Sequence, residues 1–187
     1  MEITVRDLVT VIHGLGFGAL FMLAFSGAIG VIYATWAVGE HWPADARHAR
    51  LFRFYLASMA VLAWLTVLSG TFLVYPWYRA KPPAGADLAA YPRALLLSNP
   101  HTAGWHDIGM EWKEHLAWLT PIAMTMVAYV FAKYGPQLGR QRALRNAVLG
   151  FTAIAFAATG IAGLFGAMLN KYAPIRGGAA IELIRLK

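Results

Sequence analysis

Residues 8–38 read LVTVIHGLGFGALFMLAFSGAIGVIYATWAV, and this run decides the fold class. It is almost entirely apolar, with His13 as its only acidic or basic side chain. A helix that crosses a bilayer needs about 20 mainly apolar residues, so this run is long enough to do so. It is also far longer than the apolar region of a cleaved signal peptide, which has about 7–15 residues. We therefore predict a membrane helix that is retained in the protein.

Three further segments have the same apolar character. We predict helices over 8–38, 54–77, 111–133 and 147–169, with an outer loop over 78–110. The chain is 59% hydrophobic and 13% charged, whereas a soluble domain has about 25% charged residues. The fold class predicted from these features is all-α: an integral membrane four-helix bundle, up-down-up-down, forming a single transmembrane domain over 1–187.

The basic residues predict the orientation of these helices. The short loops 39–53 and 133–146 hold seven Lys or Arg residues and two acids, whereas the opposite side holds nine basic and seven acidic residues. Short loops rich in Lys and Arg stay in the cytoplasm, so we expect both termini on the outer, periplasmic side of the cell inner membrane. The net charge of +7 is then explained by topology, and a nucleic-acid partner is excluded.

The outer loop divides into two parts. Its first part contains Pro82 and Pro83, which predict an extended turn. From Thr102 onward, Trp and Met residues alternate with charged ones, which predicts an interfacial amphipathic turn or helix leading into helix 3. We expect an ordered loop.

Two histidines are the candidate ligands of a metal or cofactor. His13 lies inside helix 1 and His115 lies at the outer mouth of helix 3, so both sit at shallow depth from the same side. An ionisable residue within a membrane helix is a functional candidate by default. Two imidazoles from facing helices are a standard axial pair for the iron of haem b. One haem is expected rather than two, because segments 54–77 and 147–169 contain no histidine.

Further residues complete the predicted site. Gly16, close to His13, would let a flat macrocycle approach the helix, and Trp112 and Trp118 would wall it. His106 or His101 could replace His115, although His106 is about half a turn out of phase with His115. The basic candidates for pairing with the haem propionates are Lys113, Arg79 and Lys81. The absence of cysteine excludes disulfides, iron–sulfur clusters and covalently attached haem.

With His13, His115 and four spans, the whole chain resembles a membrane-bound b-type cytochrome of the four-helix kind at the level of architecture. The resemblance implies a subunit of a respiratory or photosynthetic electron-transfer complex. Such a subunit carries electrons between quinone or quinol in the bilayer and an outer-side electron-transfer protein, and it contacts other membrane subunits. As an electron carrier rather than a stand-alone enzyme, it would have no catalytic side chain of its own.

Two other functions stay open at this point. A cofactor-free structural or assembly subunit would use His13 only to hydrogen-bond a neighbouring helix. A pigment-binding subunit would use a single histidine to ligate a chlorophyll-type magnesium. The apolar midplanes of the four segments argue against a transporter, which needs polar groups there.

Overall fold

The structure of the chain is a computed structural model that describes residues 5–38, 46–138 and 140–172. This part of the chain is helical and contains no strand. Four helices are long and apolar enough to cross a membrane, as the sequence predicts: Val5–Tyr33, Ala46–Tyr78, Pro100–Tyr134 and Arg142–Lys171. The predicted location of the two termini falls outside the described residues.

The four long helices contain several changes of helical type. Helix 1 comprises Val5–Val11, a π-helical Ile12–Ala19, and Leu20–Val38. Helix 2 comprises Ala46–Ser69, a π-helical Gly70–Val74, and Tyr75–Tyr78. Helix 3 comprises Pro100–Gly104, a π-helical Trp105–Met110, Glu111–His115, a 3₁₀ turn Leu116–Trp118, and Leu119–Tyr134. Helix 4 is the uninterrupted Arg142–Tyr172, and short helices occur at Leu88–Ala90, Pro92–Leu97 and Gly135–Gln137.

The helices extend beyond the apolar segments that predict them. Helix 3 begins at Pro100 instead of 111, because the side chain of Asn99 caps it by accepting a hydrogen bond from the backbone nitrogen of His101 at 2.9 Å. Proline suits the first position of a helix, where its missing N–H would have no partner. The amphipathic segment from Thr102 is therefore helical, as expected, and the connection between helices 2 and 3 shortens to residues 79–99.

Prolines coincide with two of the irregular turns. Pro121 lies three residues after the end of the 3₁₀ turn of helix 3, and Pro76 lies two residues after the end of the π-helical turn of helix 2. Proline cannot donate the hydrogen bond that a regular turn requires, so the preceding turn must tighten or widen. Widened turns recur at functional sites, so the π-helical parts of helices 1, 2 and 3 are candidate positions for such a site.

Contacts between helices define two ends of the bundle. The beginning of helix 1 contacts the end of helix 2, and the beginning of helix 3 contacts the end of helix 4. We call the end that holds Val5, Tyr78, Pro100 and Tyr172 the loop end. The opposite end, where helix 2 begins at Ala46 and helix 4 begins at Arg142, is the basic end.

The main hydrophobic core occupies the half of the bundle nearer the basic end. Aromatic pairs connect its helices: the rings of Phe25 and Phe156 stack at 4.1 Å, and those of Phe52 and Phe131 meet edge to face at 5.2 Å. By contrast, the segments Val5–Val11 and Ile12–Ala19 contain no buried residue. A smaller core beneath the 79–99 connection consists of Leu96, Met110 and Leu169.

Candidate functional site

His13 projects from the π-helical turn of helix 1 toward helix 2. Its Nδ1 lies 3.0 Å from the hydroxyl oxygen of Ser69, which is buried. Ser69 donates its single hydroxyl proton to the carbonyl of Thr66 at 3.1 Å. With the serine proton on that carbonyl, the serine oxygen accepts from the imidazole, and this hydrogen-bond pattern assigns the ring proton to Nδ1 and a lone pair to Nε2.

The ring of His13 also lies directly on the backbone of Gly70. A Cβ atom at residue 70 would stand 2.7 Å from Cε1 and 3.3 Å from Nε2 of the ring. Carbon atoms in contact are about 3.5–4.0 Å apart, so only glycine leaves room for the imidazole in this position. Ser69 and Gly70 together thus determine where the ring sits.

Lys113 reaches from helix 3 to helix 4 in the same half of the bundle. Its Nζ donates to the carbonyl of Ala162 at 3.3 Å. The same atom would be 2.9 Å from a Cβ at Gly166. Among the residues that the structure describes, no carboxylate forms an ion pair with this ammonium, which has three protons to donate.

The two polar groups belong to adjacent parts of the bundle. Segment Ile12–Ala19 of helix 1 contacts helix 4, which carries the Lys113 contacts. We call His13, Ser69 and Lys113 the polar triad.

Aromatic side chains flank Lys113. The ring of Phe165 lies 6.3 Å from that of Trp112 and 6.4 Å from that of Trp105. A Cβ at Gly109 would be 3.1 Å from Cδ1 of Phe165, so helices 3 and 4 approach closely here. The indole Nε1 of Trp112 is buried without a hydrogen-bond partner. Such an unpaired buried donor is costly and is explained most simply by an acceptor that completes the site.

The second predicted ligand, His115, lies elsewhere. Its side chain is 69% exposed, and its Nδ1 lies 3.3 Å from Oε2 of Glu111 and 3.1 Å from the carbonyl oxygen of the same residue. His13 instead faces helix 2. The described contacts therefore do not bring the two imidazoles together.

The predicted substitutes also have other surroundings. His106 bonds through both ring nitrogens: Nδ1 lies 2.8 Å from the hydroxyl of Tyr78, and Nε2 accepts from Nε of Arg93 at 3.3 Å. This histidine holds the 79–99 connection against the end of helix 2. His101 is exposed in the first turn of helix 3.

The remaining predicted site residues are divided between the two parts of the bundle. Gly16 is exposed, and beyond the side chain of Ile12 nothing lies within 4 Å of where its Cβ would be. Trp118 packs edge to face on Trp64 with ring centroids 6.2 Å apart. Only Trp112 of this group adjoins the polar triad.

A haem held by two histidines requires both imidazoles to point into one interior space. His13 has the orientation expected of a ligand, since metal-binding histidines anchor one ring nitrogen by a hydrogen bond and offer the other. His115 does not, because it is exposed and paired with Glu111. His13 and His115 thus have separate surroundings, and the described residues include no cluster of three or more potential metal ligands.

The sequence alone does not predict the partners of His13 or the contacts that Lys113 makes with helix 4. Ser69 and Gly70 are adjacent in the uncharged segment 54–77, and a small polar residue beside a glycine is a detectable signal there. The sequence marks Lys113 only as one of three basic candidates for pairing with the haem propionates. Its burial depends on a contact with residues 162 and 166, about 50 positions away, which no local pattern reveals.

The comparisons with known proteins identify no relative. The chain matches no protein-family profile, no curated protein and no solved structure.

Proposed function

We propose that this chain is a multi-pass membrane subunit that binds the head group of a quinone or quinol at the polar triad and serves electron transfer to an outer-side redox partner. The observation that carries the proposal is the ammonium of Lys113, which is partly buried between helices 3 and 4, in the same half of the bundle as the His13–Ser69 pair, and has no carboxylate partner among the described residues.

The chemistry of the triad suits a ligand with acceptor oxygens. The ammonium of Lys113 has donor capacity beyond its bond to Ala162, and the indole N–H of Trp112 is unpaired. Both could donate to a quinone carbonyl. The lone pair on Nε2 of His13 could accept a proton from a quinol hydroxyl, while Ser69 keeps the other ring nitrogen protonated. Oxidation of a quinol releases two protons and two electrons, so a proton acceptor beside the head group is needed.

A purely structural role for Lys113 is harder to support. A charged side chain within a membrane helix is costly, and such residues mark ligand or ion sites by default. A cofactor-free assembly subunit would gain more from an apolar residue that packs on helix 4. The exposed large apolar side chains around the bundle, such as Leu15, Leu23 and Phe72, account for the contact with lipid.

Orientation in the membrane forms part of the proposal. The loop end faces the outer side, because the basic loops 39–53 and 133–146 favour the cytoplasm. The polar triad then lies in the outer half of an inner membrane, within reach of an outer-side electron-transfer protein. A reporter fused after Lys187 that is active only in the cytoplasm would contradict this orientation.

A haem b subunit is the second candidate function. One observation favours it: the hydrogen bond from Nδ1 of His13 to Ser69 leaves Nε2 available as an iron ligand. A pyridine haemochrome assay on the purified protein tests it, and His13→Ala should abolish any signal whereas His115→Ala should leave it. Absence of haem from protein produced with ample haem supply would remove this candidate.

The quinone proposal is tested with decylubiquinone and menadione on the purified full-length protein in nanodiscs, by quenching of tryptophan fluorescence. We expect saturable binding that Lys113→Met weakens roughly tenfold, since about one charge-assisted hydrogen bond is lost. The matched control is Lys133→Met, because Lys133 is exposed near the basic end, where it donates to the hydroxyl of Tyr129 at 3.1 Å and lies over two tyrosine rings. Binding that is not saturable, or that both variants weaken equally, would overturn the proposal. If oleate quenches the tryptophan fluorescence saturably and neither quinone does, the ligand is a carboxylate and not a quinone.

A further inference from the structure

Two glycines at the loop end support the polar side chains of the triad in the same way. Gly70 of helix 2 lies under the ring of His13, and Gly166 of helix 4 lies under the ammonium of Lys113. In each case the side chain comes from the preceding long helix and rests where an alanine methyl group would be.

The contacts at these glycines differ from ordinary close packing of helices. Small residues usually allow another backbone or an apolar side chain to approach. At Gly70, however, the three atoms nearest to the place that an alanine methyl group would occupy all belong to the ring of His13. At Gly166, only Nζ and Cε of Lys113 lie within 4 Å of the corresponding place. The space that glycine provides is filled by the functional group itself.

Gly14 of helix 1 and Gly163 of helix 4 lack this relation, whereas at Gly27 of helix 1 the hydroxyl of Tyr55 fills the corresponding place at 2.7 Å. Nothing lies within 4 Å of the methyl position at Gly14 or at Gly163. Glycine within a helix costs up to about 1 kcal/mol relative to alanine, so a glycine needs a local reason to be retained. At residues 70 and 166 the reason is the room that each leaves for an imidazole or an ammonium.

We infer that Gly70 and Gly166 are positioning residues that hold His13 and Lys113 in the geometry of the ligand site. The part of this inference that concerns ligand affinity rests on the proposed function. The part that concerns the two side chains does not, because it follows from the contacts alone.

The two positions should respond differently to a methyl group. The ring of His13 is joined by two rotatable bonds and is tied to Ser69, so Gly70→Ala must turn it away and break that hydrogen bond. Nζ of Lys113 is the free end of a flexible chain, so Gly166→Ala should shift the ammonium with little effect on folding. The larger consequence is therefore expected at residue 70.

The test uses full-length protein in nanodiscs with ¹⁵N-labelled histidine. We expect Gly70→Ala to shift the ring nitrogen signals of His13 toward those seen in Ser69→Ala, and Gly14→Ala to leave them unchanged. Decylubiquinone binding should weaken roughly tenfold in Gly70→Ala and roughly threefold in Gly166→Ala, as expected for full and partial loss of one hydrogen bond. Gly163→Ala should bind as the unaltered protein does.

A double variant keeps the inference falsifiable if Gly70→Ala folds poorly. Removing the ring with His13→Ala should restore the melting temperature of Gly70→Ala, because the clash then disappears. Failure of this rescue, or an unchanged His13 spectrum in a folded Gly70→Ala, would overturn the inference. If the spectrum shifts as expected but the unaltered protein binds no quinone, the proposed function fails while the positioning role stands.

Discussion

The two halves of the bundle are built on different principles. Near the basic end, aromatic and aliphatic side chains from all four helices fill a common core, and the side chains of Phe21, Leu56 and Met124 are fully buried. Near the loop end, the first two segments of helix 1 bury nothing, three helices contain π-helical turns, and polar groups rest on glycines. The comparison teaches that apolar packing fills one half, whereas specific contacts of single polar side chains characterise the other half.

The largest effect is expected from truncating the packed half. Leu56→Ala removes a fully buried side chain and should lower the free energy of unfolding by about 2–5 kcal/mol, because its packing contacts are lost. Phe54→Ala is the matched control on the same helix, since Phe54 is 72% exposed. Unfolding in mixed micelles measures both. Equal losses in the two variants would break the distinction between core and lipid-facing surface.

A smaller effect of opposite sign is expected in the loop-end half. Lys113→Met replaces a partly buried ammonium by an apolar chain of similar length, so stability should stay the same or rise by up to about 2 kcal/mol. The same unfolding experiment measures this, and Lys133→Met serves as the exposed control. A clear loss of stability would mean that the bond to Ala162 supports the fold, and the contrast between the halves would weaken.

The smallest effect is expected at the hydrogen bond that orients His13. Ser69→Ala should lower the free energy of unfolding by about 1 kcal/mol, the usual contribution of one such bond. It should also change the ring proton distribution of His13, which ¹⁵N chemical shifts report. Thr66→Val tests the same chain of bonds one step away, because the hydroxyl of Thr66 donates to the carbonyl of Leu62 and not to the ring. An equal spectral change in both variants would contradict the assignment of Nδ1–H to the Ser69 contact.

The sequence predicts the fold class well and the site only in part. Apolar runs of sufficient length dictate four membrane helices, because backbone groups in lipid must bond within their own helix. The same logic marks His13 as unusual, and the structure places it in a specific contact. It marks His115 as well, yet that residue is exposed. Depth along a helix can be counted from the sequence, whereas the rotation of the helix about its axis depends on its neighbours.

What the sequence by itself determined is therefore the number of spans, the position of the amphipathic segment before helix 3 and the candidacy of His13. Only the tertiary structure decided that Ser69 and Gly70 hold that histidine, that Lys113 turns inward onto Gly166, and that His106 fastens the 79–99 connection. The physical reason is the distance along the chain over which each effect acts. Hydrophobicity and helical periodicity act over a few residues, but each of these contacts joins elements that only the packing of the whole bundle brings together.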